Sequence, residues 1–241
     1  MPDPSGGLEW RRRAGQVGQS FVVGTADHDK RVAARAAAEL VEDGMSVGLG
    51  TGTTVAYLVP ALASRGLDIR CVATSPRTER LARGAGLRVG RFSAVEHLDV
   101  AIDGADEVAP DGWLVKGGGG AHTREKLVAS AADRFVVIVD SSKLVGALRP
   151  PVPLELVAFG LSSTLRRLET LGPVHRRQAA RSPEGGVICD YLGAVDDPER
   201  LAGALRGVPG VVEHGLFPPE MVSEVVVGRG GRAEWLRRRG S

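Results

Sequence analysis

A lysine, four consecutive glycines and a glutamate stand close together in Lys116-Gly117-Gly118-Gly119-Gly120-Ala121-His122-Thr123-Arg124-Glu125-Lys126. These are parts that a proton transfer needs. Glycines in a row leave their amides free to approach a ligand with no side chain in the way. The lysine before them is a cationic partner for a developing oxyanion, and the carboxylate after them, at the start of a helix, is a base. A flexible linker is the competing reading of a glycine run. This run, however, lies between a strand hairpin and an apolar helix inside a domain, where long structureless stretches are rare. His122 is a lone histidine, more often a surface or core residue than a ligand, and is left out of the site.

Two further segments have chemical content. Asp103-Gly104-Ala105-Asp106-Glu107 places three carboxylates just past an apolar run. Crowded like charges raise at least one pKa, which suits a proton carrier working near neutral pH. A solvated acidic turn and a divalent-cation site are the alternatives. Gly50-Thr51-Gly52-Thr53-Thr54 joins a strand to a helix, where exposed N–H groups favour an anion. It lacks the lysine and spacing of a Walker loop and the third glycine of a dinucleotide fingerprint. A single phosphate, held by amides and the Thr53 and Thr54 hydroxyls, fits it; an ordinary tight turn is the bland reading. Asp140-Ser141-Ser142-Lys143 offers a second cation.

The elements that must position these groups follow from the apolar pattern. Helices are expected after a cap at Thr25 (Lys30 to Val41, with Val32, Ala36, Leu40 and Val41 on one face), over 55–63, over 77–83 and over 126–132. Short apolar strands are expected over 45–49, 69–73, 98–102 and 135–139. Strands alternating with helices in this way predict a parallel sheet covered on both faces. These strands end in polar or glycine-rich segments (50–54, the stretch Thr74-Ser75-Pro76, 103–107 and 140–143), so those segments converge on one crevice at the C-terminal edge of the sheet.

Pro150-Pro151-Val152-Pro153 breaks the rhythm. Beyond it the pattern reads strand 154–158, helix 162–171, strand 174–179, strand 187–191, helix 197–205 and strand 211–216, a ferredoxin-like order. Residues 224–228 read as a strand returning to the first sheet. The expected fold is α/β: a Rossmann-like parallel-sheet domain (26–149 and 217–241) with a smaller ferredoxin-like α+β insert (150–216). Residues 1–25 read as a loose extension, and the arginine runs 11–13 and 237–239 as solvated tails.

The net charge of +2 gives no reason to invoke nucleic acid or membrane. Cys71 and Cys189 lie far apart in apolar runs, which suits buried reduced thiols in the cytoplasm. The five histidines are scattered, with no pair at metal-ligand spacing, so no metal is expected. No signal peptide or bilayer-length apolar run is apparent.

Taken together, these segments resemble type A ribose-5-phosphate isomerase. Gly48 to Thr54 is similar to that family's phosphate-side loop, 103–107 to its acidic signature, and 116–126 to its Lys–Gly-rich–Thr-Arg-Glu-Lys segment. Asp140 to Lys143, Pro209 to Val212 and Gly215 to Phe217 fall in the expected order, and the likeness spans about residues 27–230. It implies Glu125 as the base, with Asp103, Asp106 and Lys116 as further catalytic groups. It implies substrate contacts from Thr51, Gly52, Thr53, Thr54, Gly104, Ala105, Gly117, Gly118, Gly119, Lys143 and Lys30. It also implies interconversion of ribose 5-phosphate and ribulose 5-phosphate through an enediolate, without cofactor, in a homodimer or homotetramer. Asp103 is the first choice for ring opening. His122 departs from the family, standing where an apolar residue is usual. A lactonase or deaminase acting on a sugar phosphate remains an alternative, as does a non-enzymatic sugar-phosphate sensor, although the residues before Thr25 are too few for a three-helix DNA-binding module.

Overall fold

The computed structural model describes residues 11–12 and 25–237. The expectations for 1–10, 13–24 and 238–241 therefore lie outside the described residues. The first part of the chain forms β1 (Arg11–Arg12), α1 (Ala26–Ala38), β2 (Ser46–Leu49), α2 (Thr53–Ala63), β3 (Arg70–Ala73), α3 (Pro76–Gly84) and β4 (Arg88–Val89). Then come β5 (Leu98–Asp103), β6 (Glu107–Val108), β7 (Leu114–Val115), α4 (His122–Ser130) and β8 (Ala132–Asp140). The remainder forms β9 (Val152–Leu156), α5 (Leu161–Leu168), β10 (Val174–Arg181), β11 (Val187–Tyr191), α6 (Pro198–Arg206), β12 (Val211–His214), β13 (Leu216–Phe217), β14 (Glu224–Arg229) and β15 (Arg232–Arg237).

The main sheet has the order β1-β15-β14-β8-β5-β2-β3-β4. Its strands from β14 to β4 run parallel, while β15 is added antiparallel to β14, and β1 antiparallel to β15. The chain begins the parallel part in the middle, at β2, moves outward to β3 and β4, and then returns to β5 on the other side. That reversal opens a crevice at the C-terminal ends of β2 and β5. Period-two alternation sorts the side chains to opposite faces. Val136 and Ile138 join the core under α1 and α2, whereas Phe135, Val137 and Val139 join the core under α4.

Glycine at position 48 sets how near α4 comes to the sheet. A Cβ there would lie 2.5 Å from Val128 Cγ1, so only a residue without a side chain admits α4 at this depth. The second sheet, β10-β11-β9-β12, is antiparallel and packs against α5 and α6 around its own core. Its strand order is that of the ferredoxin-like split unit. A small sheet, β13-β7-β6, pairs the segment after the second sheet with the hairpin between β5 and β8 and ties Leu216 to Val115.

Several boundaries differ from expectation. Thr25 does cap α1, its hydroxyl accepting from His28 N at 3.3 Å. The helix stops at Ala38, however, and it buries Ala33, Ala34, Ala37 and Ala38; of the expected face, Val41 is buried just beyond the helix, while Ala36 and Leu40 are only half-buried against the same core. The reason is close packing against α2 and the sheet, where alanine is the size that fits. Helix α4 begins four residues earlier than expected and ends at Ser130, with Ala132 already in β8. Arg237 is not a solvated tail: it sits in β15 and pairs with Glu224 at 3.0 Å.

Candidate active site

The loops after β2 and β5 meet at the crevice and are fastened to each other. Gly50 N donates to Ile102 O at 3.0 Å, and Thr51 N donates to Asp103 Oδ1 at the same distance. A Cβ on Gly50 would fall 1.9 Å from the Asp103 carboxyl, so the strand ends can approach this closely only with glycine there. The segment 74–78 supports this arrangement from the side. Thr74 Oγ1 lies 2.8 Å from Thr51 Oγ1, and Thr78 Oγ1 donates to Gly50 O at 2.8 Å.

At the cleft floor, three ionisable groups share one buried spot. Lys116 Nζ stands 2.8 Å from Asp103 Oδ2 and 3.2 Å from Glu125 Oε2, and it also donates to Gly104 O. Relative exposure is 3% for Asp103, 2% for Lys116 and 4% for Glu125. Lys116 reaches this position because β7 is held by β6 and β13, and because its own N–H donates to Gly215 O at 2.8 Å. Glu125 reaches it from the first turn of α4, whose opening bond is Glu125 N to Ala121 O at 3.0 Å.

Two carboxylates against one ammonium leave a negative charge out of water. Burial, reinforced by the Asp103 charge, pushes Glu125 up to about 8 against the opposing pull of Lys116. Burial likewise raises Asp103 above the usual carboxylate range, although Lys116 and the Thr51 and Gly104 amides oppose it. For Lys116, burial works against the charged form but the two carboxylates outweigh it, so the ammonium is held more firmly than usual. A carboxylate poised near neutrality beside a permanent cation is what a general base for a weak carbon acid requires.

Above these groups lies a cleft lined by residues 51–54, 104–106 and 116–119 together with Glu125 and Lys143. Most of the expected site residues are thus brought together. Asp103 lies beneath the lining rather than in it, with Oδ1 taken by Thr51 N and Gly104 N. Lys30 does not line the cleft; it lies 3.5 Å from Asp27 on α1. Also at the cleft, α2 opens with Gly52 at φ 123° and no side-chain cap. Amides at an uncapped helix start, with the helix dipole behind them, favour an anion, and the Thr53 and Thr54 hydroxyls stand beside them in the lining. Asp106 Oδ2 accepts from Gly118 N at 2.8 Å, joining the acidic loop to the glycine run.

Some contributors carry no local signal in the sequence. Arg177 on β10 donates to Gly117 O and Gly118 O while gripping Asp190. Glu155, 1% exposed on β9, accepts from Thr123 and Ser182 and ties the first turn of α4 to the second sheet. His122 is fully buried behind Gly117, its Nε2 3.3 Å from Glu213 O, and burial pushes it down to about 4. It is a neutral core residue at working pH. Among the described residues one grouping has metal-ligand types close together: His97, Asp99 and Asp133. They stand at the opposite, N-terminal edge of the sheet. His97 is engaged by Asp133 at 2.9 Å and Asp99 by Ser46 at 2.7 Å.

Comparison with known proteins gives a consistent result. Residues 70–231 match the family model described as ribose 5-phosphate isomerase A (phosphoriboisomerase A). The chain is 47% identical over 217 residues to ribose-5-phosphate isomerase A of Caulobacter vibrioides, covering 85% of this chain and 95% of that one. The crystal structure of ribose 5 phosphate isomerase A from Neisseria gonorrhoeae superposes with a TM-score of 0.86 at 34% identity, over 90% of this chain and 99% of that one. A D-ribose-5-phosphate isomerase in complex with phospho-erythronic acid superposes with a TM-score of 0.84 at 33% identity, over 89% and 100% of the two chains.

Proposed function

The chain belongs to the ribose 5-phosphate isomerase A family, and from that premise we propose how its residues interconvert ribose 5-phosphate and ribulose 5-phosphate. The activity is an aldose–ketose isomerisation, an intramolecular oxidoreduction. A hydrogen leaves C2 and arrives at C1, and a proton passes between the two oxygens. The observation that carries the assignment of roles is the buried contact of Lys116 with both Asp103 and Glu125 at a cleft that the uncapped start of α2 also lines.

In this reading the phosphate rests on the α2 amides and the Thr53 and Thr54 hydroxyls, with Lys143 adding charge. Ring opening takes a proton from O1 and gives one to O5. Lys116, which lines the cleft, gives a proton to O5 and takes the O1 proton in return, so its ammonium is restored. Asp103, 2.8 Å behind it, stabilises that charge through the exchange. Glu125 then removes the C2 proton, leaving an enediolate, and delivers the proton to C1. The negative charge on oxygen falls to Lys116 and the amides of the glycine run, and Asp106 holds the hydroxyls. A positioned base contributes about 10²–10⁴ in rate, and one oxyanion donor about 3–4 kcal/mol. The scheme draws its electrophile from Lys116 and its base from Glu125, so it calls on neither metal nor cofactor.

Residues 26–149 with 217–241 are read as the catalytic unit and 150–216 as an insert, supported by the separate core of the second sheet. A homodimer or homotetramer is carried over from the family resemblance. No helix among the described residues is long and apolar enough to cross a membrane. A cytoplasmic setting is supported by two free, buried thiols, Cys71 and Cys189, which burial pushes up to about 12 and about 11. The test is conversion of ribose 5-phosphate by the purified chain in EDTA. Sustained formation of ribulose 5-phosphate is expected. Absence of turnover by folded protein, with phospho-erythronic acid still bound, would return the site to sugar-phosphate binding alone.

A further inference from the structure

The proposed chemistry leaves Arg177 unused. It stands on β10 of the second sheet and does not line the cleft. Its guanidinium nevertheless makes four contacts. Nε and Nη2 donate to the two Asp190 oxygens at 2.7 Å each, while Nη1 donates to Gly117 O at 3.2 Å and Gly118 O at 2.9 Å. The bidentate pairing with Asp190 on the neighbouring strand fixes the plane of the guanidinium, and with it the direction of Nη1. The side chains are 21% and 13% exposed, so water competes only weakly for these bonds.

What this fixes is a peptide unit in the glycine run. In a trans peptide the C=O and the following N–H point in opposite directions in one plane. Gly118 O and Gly119 N–H belong to the same unit, so drawing the carbonyl onto Arg177 turns the N–H the other way. Gly119 lines the cleft, and among the described residues no protein group accepts from its N–H. The preceding unit is fixed at both ends: Gly118 N donates to Asp106 at 2.8 Å, and Gly117 O also accepts from Gly120 N at 2.9 Å. Glycines have no steric preference that would hold this arrangement by themselves. It has to be held from outside the run.

We propose that Arg177 and Asp190 are a positioning pair, supplied by the second sheet, that presents the Gly119 N–H to the anionic oxygen formed on the substrate. The matching ligand class is a sugar phosphate with a charged oxygen next to C2, either the enediolate or a carboxylate that imitates it. This rests on the isomerase reading above. The second sheet therefore acts in the reaction through the loop it grips, without touching the substrate.

The experiment compares the wild type with Arg177→Gln, Arg177→Lys and Asp190→Asn. It reads kcat and KM for ribose 5-phosphate, inhibition by phospho-erythronic acid, and Tm. Loss of the pair is expected to lower kcat by up to about 10²-fold, the scale of an ångström-sized misplacement, and to weaken phospho-erythronic acid binding in step, with KM near the wild-type value. Arg177→Lys should fail to rescue, since an ammonium cannot span the carboxylate and both carbonyls. Asp190→Asn, which keeps the guanidinium, should move kcat and inhibitor affinity the same way by a smaller factor. It decides the matter if Arg177→Gln does not fold. A merely structural brace would lower Tm and leave kcat and inhibitor affinity per folded molecule unchanged, which would overturn the proposal. Wild-type turnover in the same assay tests the isomerase reading separately. A silent wild type defeats that reading, whereas an active wild type with unaffected variants defeats only the positioning pair.

Discussion

Two parts of the cleft differ: at the start of α2 the donors are accessible and uncapped, whereas around Lys116 the charges are buried and answered one by another. Thr53 is exposed, the opening amides of α2 have no cap, and Lys143 is only partly covered. Asp103, Lys116 and Glu125 are almost wholly withdrawn from water, with the ammonium within 3.2 Å of both carboxylates. Holding an anion needs donors without prior partners, and water there costs little. Moving a proton from carbon needs groups whose proton affinities are displaced, which takes exclusion of water and crowding of charge. The difference predicts that damage in the first part is felt in binding and damage in the second in turnover.

Among variants that also test stability, Lys116→Met should show the largest effect. It removes the electrophile and leaves two carboxylates buried without their cation. Turnover should fall by about 10²–10³, as for loss of an oxyanion donor. Stability should fall by about 3–5 kcal/mol, the cost of breaking a buried pair, read by denaturant unfolding. At the start of α2, Thr53→Val should raise KM by roughly 10–100-fold, from losing a hydrogen bond to a charged group worth about 1.5–3 kcal/mol, with kcat largely kept. A change confined to kcat would remove Thr53 from the phosphate site.

Gly48→Ala lies in neither part and tests the scaffold. The new Cβ would meet Val128 at 2.5 Å, pushing α4 and Glu125 outward. Overpacking of this kind costs about 1–3 kcal/mol, and kcat should fall with stability while KM holds. The smallest effect concerns pH. Glu125 must be ionised to act, and burial pushes it up to about 8, so kcat/KM should decline as pH falls below that value. The negative charge of Asp106 adds to the upward push, so Asp106→Asn should move that limb to lower pH. The limb belongs to the coupled cluster as a whole. The same shift has a stability sign. The folded protein binds this proton more tightly than the unfolded chain, whose value is near 4.5, so the contribution is present at low pH and lost as pH rises through about 8. Glu125→Gln should abolish it.

The parts of the site written as continuous strings were legible in the sequence. Residues 50–54, 103–107 and 116–126 each follow a strand, and strand ends in a parallel sheet face one crevice. Other features depend on residues far apart in the chain. Nothing near Arg177 says that it reaches Gly118, whereas the meeting of Thr74 with Thr51 follows from the strand-end convergence, β3 lying beside β2. The buried face of α1 was misread because hydrophobic size favours Val32 and Leu40, whereas close packing selects Ala33, Ala34, Ala37 and Ala38. Strand β15 was missed because its arginines resemble a solvated end; Arg237 is held by Glu224 across the sheet. The depth of Asp103 below the cleft could not be read from its position in an acidic cluster, since burial is set by the glycine at position 50 and by Lys116.

The most direct test of the central claim is Glu125→Gln, with turnover of ribose 5-phosphate and affinity for phospho-erythronic acid measured on the same preparation. If Glu125 is the base in a buried cluster separate from the anion site, kcat should fall by about 10²–10⁴ while phospho-erythronic acid binds nearly as it does to the wild type. Near-normal turnover, or a loss of binding as large as the loss of rate, would contradict the division of the cleft into an anion part and a proton-transfer part.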